Sequence, residues 1–84
     1  MARKHMIVTG MVQGVGFRYY TLRAAQRIGI AGWVRNRPDG TVEIEAQGDA
    51  PGLESFVRAI RKGPAFSSVD AVDMSPLPEC ETET

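Results

Sequence analysis

Gly10-Met11-Val12-Gln13-Gly14-Val15-Gly16-Phe17-Arg18 joins a strand-like run to a helix-like one. The apolar residues from Met6 to Val12 lead in, and Phe17 to Ile28 lead out. A short glycine loop at such a junction gathers several backbone N–H groups around one point, and with the positive end of the helix dipole they suit an anion. Arg18 adds a planar, permanently charged fork that matches phosphate oxygens two at a time. Glycine spacing alone leaves two readings open. One is a phosphate cradle. The other is a tight turn whose glycines serve backbone freedom, with an exposed arginine at the helix start. The dinucleotide pattern G-x-G-x-x-G is met only at Gly14 and Gly16, because Tyr19 stands at the third place, and no Gly-Lys-Ser/Thr follows to make a Walker A loop.

Outward from the loop, His5 to Val12 reads as the first strand, behind a basic lead-in at Met1 to Lys4. His5, the only histidine, lies a strand's length before the loop and reads as a surface residue. Downstream, Phe17, Thr21, Ala24, Ala25 and Ile28 recur on one helical face, and Gly29 supplies a C-cap with Ile30 as its apolar contact. Tyr19 and Tyr20 read as packing at the helix edge. Ala31 to Asn36 is a second strand, with Trp33 core or partly covered, and Arg37-Pro38-Asp39-Gly40 is a turn. In the third strand, Thr41 to Gln47, Val42, Ile44 and Ala46 alternate with Glu43, Glu45 and Gln47, one face packed and the other wet. Asp49 and Pro51 open a second helix with the apolar stripe Leu53, Phe56, Val57 and Ile60, and Gly63-Pro64 stops it. Val69 to Met74 is a fourth strand. Val69 is out of phase with Val72 and Met74, which predicts a bulge or a late start, and Pro76 and Pro78 end the strand.

The order β-α-β-β-α-β implies an α+β protein, a ferredoxin-like two-layer sandwich with both helices on one face of an antiparallel sheet. In that arrangement strand three lies between strands one and two, so the latter two point the same way. The loop after strand one and Asn36, at the end of strand two, then share one edge of the sheet. An asparagine cannot deprotonate water but can hold it in line with a phosphorus atom. Phosphoryl transfer needs mainly positioning and charge stabilisation. Neither segment holds a nucleophile or general base, so the pair suits a substrate whose leaving group needs no protonation.

The string Gly10-x-Val12-Gln13-Gly14-Val15-x-Phe17-Arg18 resembles one signature of the acylphosphatase family, and Gly32-Trp33-Val34-Arg35-Asn36 followed by Asp39-Gly40 resembles its other. The resemblance runs from about Lys4 to Pro78. It implies hydrolysis of the carboxyl–phosphate bond of acyl phosphates, giving a carboxylate and inorganic phosphate. By the resemblance, Arg18 and the loop amides of Gln13, Gly14, Val15, Gly16 and Phe17 bind the phosphoryl group, and Asn36 orients the attacking water. The same resemblance implies no metal and no organic cofactor, with inorganic phosphate as product and competitive inhibitor. Family members usually finish with a further short strand, and here the chain ends soon after Pro78, a difference expected to touch edge protection and stability more than catalysis.

Length and composition set the remaining expectations. Eighty-four residues make one small domain, 1–84, expected to be a monomer. Ten basic and ten acidic residues balance, which argues against nucleic-acid binding through a broad basic face. Strands one and three carry no aromatics of the kind an RNA-binding sheet needs. Cys80 is the only cysteine, so neither an internal disulfide nor a Cys-x-x-Cys metal loop exists. No secretory or membrane-spanning run is evident, and the expected compartment is the cytoplasm. The rival to an enzyme is a non-catalytic anion-binding or regulatory module on the same fold. The presence of both Arg18 and Asn36 speaks against it.

Overall fold

Cross-strand charges begin the chain. The computed structural model describes residues 1–79, and its first element, β1, runs Ala2–Met11. The lead-in expected to be loose is therefore strand. Arg3 is buried, and its Nε and Nη2 donate to Glu45 Oε1 at 3.0 and 2.8 Å. That pairing turns a polar stretch into a ladder. Helix α1 follows at Phe17–Ile28, and Gly29 closes it as expected, its N–H and that of Ile30 both donating to the Ala25 carbonyl at 2.8 Å. Strand β2 spans Ala31–Asn36, β3 Val42–Gly48, helix α2 Ala50–Lys62 and β4 Ser68–Leu77. Asp49 caps α2, its Oδ1 accepting from the Gly52 N–H at 2.8 Å.

The sheet order is β2-β3-β1-β4, with every neighbouring pair antiparallel. This is the βαββαβ ferredoxin-like arrangement, and β1 and β2 point the same way. Helix α1 packs on α2 and β2, and α2 on β3 and β4. The core lies between the layers: Met6, Val8 and Val12 from β1 and its continuation, Val42, Ile44 and Ala46 from β3, Phe17 and Ala24 from α1, and Leu53, Phe56 and Ile60 from α2. Burying each large apolar side chain contributes about 1.5–3 kcal/mol before entropy is counted.

Two details depart from the alternation in the sequence. Gln47, expected on the wet face, is buried, and Glu43 and Glu45 are engaged by His5, Arg35 and Arg3 rather than simply solvated. Strand β4 runs through Pro76 to Leu77. Because β4 is an outer strand, the missing N–H of Pro76 is tolerated there. The irregularity expected near Val69 is a bulge. Thr9 pairs Ala71 and Gly10 pairs Val69, leaving Asp70 as the extra residue. A side chain at Gly10 would strike the Ser68 carbonyl, so this close approach requires glycine. Cys80 and any closing strand lie outside the described residues.

Candidate active site

At the C-terminal end of β1 the chain turns through residues 12–16 and enters α1. Gly14 and Gly16 have φ of 74° and 78°, while no residue other than glycine has positive φ among the described residues. The alternation across Gly14-Val15-Gly16 is the pattern that turns successive N–H groups toward one side. An added Cβ at either glycine would meet nothing within 4 Å, so the requirement is for the backbone angle itself. Gly16 is the N-cap of α1. It has no side chain to satisfy the first turn, and that turn holds no acidic residue. The positive helix end therefore receives no counter-charge from its own cap or first turn.

Side chains anchor the loop from behind. Phe17 is buried in the core, and Val15 packs against it. Gln13 Nε2 donates to the carbonyls of Arg37 and Thr41 at 2.7 and 2.9 Å. The Gln13 side chain thus braces the loop against the β2–β3 turn, a use its position in the sequence did not disclose because its partners lie 24 and 28 residues on. The turn is itself closed: Gly40 N–H donates to Arg37 O at 3.1 Å, and Asp39 Oδ1 accepts from the Thr41 N–H and Oγ1. Those Thr41 hydrogen bonds, helped by Arg37, hold the Asp39 carboxyl below its ordinary range. Asp39 is therefore a carboxylate at neutral pH.

Arg18 sits in the first turn of α1, exposed, with no hydrogen bond or ion pair to any described residue. Asn36 ends β2 and is likewise exposed and without a described partner. It pairs with Val42, which is buried under the helices, so Asn36 belongs to the same face as α1. The β2–β3 turn that follows Asn36 is the one Gln13 grips. The glycine loop, Arg18 and Asn36 thus gather at one end of the molecule, on one face, with two unpaired polar side chains beside uncapped backbone donors.

Other residues considered from the sequence stand elsewhere. His5 lies low on β1, on the face away from the helices, with Nε2 2.7 Å from Glu43 Oε2. Tyr20 packs between the helices, its hydroxyl donating to Ala59 O at 2.7 Å. Tyr19, expected to pack, is exposed and held along its own helix by Arg23, whose Nη1 donates to the hydroxyl at 2.9 Å. Trp33 is half-buried beneath the Arg35 guanidinium.

The sequence matches the family model described as acylphosphatase over residues 4–84. An acylphosphatase of Chlorobaculum tepidum is 50% identical over 82 residues, covering 98% of this chain and 86% of that one. One of Bifidobacterium longum is 49% identical over 78 residues, covering 93% and 80%. The crystal structure of acylphosphatase from Bacillus subtilis matches with a TM-score of 0.93 at 44% identity, covering 98% of this chain and 91% of that chain.

Proposed function

The chain belongs to the acylphosphatase family, and from that premise we propose that its loop end hydrolyses acyl phosphates by direct attack of water on phosphorus. The backbone N–H groups of residues 13–17 and the first turn of α1 surround the phosphoryl oxygens, and Arg18 grips two of them. Asn36 holds a water through its uncharged amide, in line with the bond to be broken. The water oxygen forms a bond to phosphorus as the bond from phosphorus to the acyl oxygen breaks. The carboxylate departs with the electron pair, and the water's proton passes to phosphate oxygen or solvent. Charge accumulating on the phosphoryl oxygens meets donors already in place, so little reorganisation is needed. The carboxylate needs no proton to leave, which fits a site built from an arginine, an amide and backbone.

The observation that carries this reading is that Arg18 and Asn36, both exposed and unpartnered among the described residues, lie toward the same end of the fold as an uncapped helix start. The test is release of inorganic phosphate from acetyl phosphate, with a phosphate monoester as control and Arg18→Ala as the inactive comparison. Turnover of acetyl phosphate that Arg18→Ala abolishes is expected. Tight phosphate binding without turnover would leave the non-catalytic anion-binding reading in its place.

A further inference from the structure

The two helices hold the chain's charge unequally. Arg18, Arg23 and Arg27 lie on α1, which has no acidic residue, and Arg58, Arg61 and Lys62 lie on α2 against Glu54 alone. All six basic side chains are exposed. The balance of ten basic and ten acidic residues is thus a sum over unlike parts: a basic helix layer, and a remainder in which nine acidic residues outnumber four basic ones.

The helices run antiparallel. A Cβ at Gly52, in the first turn of α2, would lie 3.6 Å from Ile28 at the end of α1. One at Gly63, just past the last turn of α2, would lie 3.4 Å from Phe17 at the start of α1. The Tyr20 hydroxyl donates to Ala59 O across that same end. The last turn of α2 therefore flanks the start of α1, and its partial negative charge opposes an anion drawn to the glycine loop. Arg61 and Lys62 occupy that turn. Neither makes a hydrogen bond or ion pair with any described residue. The acidic side chains at this end are Asp39, 3.9 Å from Arg37, and Asp70, at the β4 bulge. Two cations at a helix C-terminus have a plain stabilising use. What sets this pair apart is its neighbour, an uncapped helix start with an unpaired arginine in its first turn.

We propose that Arg61 and Lys62 steer the anionic substrate. They cancel the negative end of α2 and, at the same end as Arg18, make the glycine loop attractive to a dianion, so that capture depends on them while the chemical step does not. The inference rests on the acyl phosphate reading above. It is tested by turnover of acetyl phosphate, and by calorimetric binding of inorganic phosphate, in the unaltered protein, Arg61→Gln/Lys62→Gln and Arg27→Glu. The last removes the same two units of charge at the far end of α1. At an ionic strength of about 0.01 M, where charges are felt over ~30 Å, the double variant is expected to raise KM and the phosphate Kd together by roughly three- to tenfold, with kcat unchanged. At about 1 M, where that range shrinks to ~3 Å, the difference is expected to vanish. A KM unmoved by the double variant at low salt, or a fall in kcat with KM standing, overturns the steering role. An equal rise in Arg27→Glu overturns it too, because it traces the effect to net charge rather than to place. If the unaltered protein binds phosphate without turning over acetyl phosphate, the hydrolytic reading falls and the salt-dependent Kd alone decides the steering role. Failure to bind phosphate as well overturns both.

Discussion

Two side chains carry the proposed chemistry, and their parts are separable. Arg18 is useful because its guanidinium offers two parallel donors at fixed spacing, which an ammonium cannot copy. Arg18→Ala is expected to lose both phosphate inhibition and turnover, and Arg18→Lys to be nearly as poor. Near-normal kinetics in the lysine variant would remove Arg18 from the phosphate site. Asn36, by contrast, is proposed to touch water rather than phosphate. Asn36→Ala should lower kcat by roughly 10²–10³, the scale seen for a single positioned polar group, while inhibition by inorganic phosphate persists. If phosphate inhibition weakens as steeply as turnover, Asn36 binds the anion and the water-holding role is wrong. Both residues stood out in the sequence because each sits in a motif at an element boundary. Gln13 stood out too, but its side chain is turned to Arg37 and Thr41, a contact that only the closed fold creates.

At the scale of elements, the sheet face away from the helices is held by cross-strand charge. Glu43 lies between β1 and β2, with His5 Nε2 2.7 Å from Oε2 and Arg35 Nε 2.6 Å from Oε1. The hydrogen bond with His5, then that from Arg35, holds the Glu43 carboxyl below its ordinary value. A carboxyl whose folded pKa is depressed stabilises the fold fully above its unfolded pKa of about 4.3. That contribution is lost as pH falls through the lower folded value. Glu43→Gln should therefore melt below the unaltered protein at pH 7, with the gap closing progressively as pH drops below about 4. Melting curves between pH 7 and 3 check this, and a gap that widens on acidification would reverse the assignment. The same contacts explain why one element was misjudged from sequence. Helix α1 and strand β2 are legible because periodicity, Gly29 and the Pro38-Asp39-Gly40 turn mark their ends locally. The first residues of β1, Ala2 to Lys4, are not, because Arg3 finds its partner in Glu45, 42 residues away; from His5 onward the strand is legible. Pro76 misled for a related reason: that it sits in an edge strand follows from the sheet order, which no local pattern states.

For the whole molecule, the fold determines what the site can and cannot supply. It brings a helix start, an arginine and an asparagine to one end, yet leaves the histidine on the other face, low on β1. Near the glycine loop stand a guanidinium and an amide, side-chain types that do not serve as general acids at neutral pH. Asp39 is held ionised by Thr41 and Arg37, and the Tyr19 hydroxyl is drawn along its helix to Arg23. Among the described residues, no side chain at that end is placed to hand a proton to a departing oxygen. In the proposed mechanism the site stabilises charge on the phosphoryl group while the leaving group departs unaided. Rate should then fall steeply with leaving-group basicity. Acyl phosphates release carboxylates, whose conjugate acids ionise near ~4, aryl phosphates release phenolates near ~10, and alkyl phosphates release alkoxides, far more basic still and comparable to hydroxide. The expected order of kcat/KM is acyl fast, aryl slow and alkyl essentially inert, unchanged by a chelator because Arg18 and backbone amides supply the charge stabilisation in this account. Steady-state kinetics across such a series, with and without chelator, decides the matter. A flat dependence would mean that a proton donor reaches the leaving oxygen, and loss of activity on chelation would mean that a bound cation shares the work. Either result would replace a mechanism built on position and charge with one built on proton transfer or Lewis acidity.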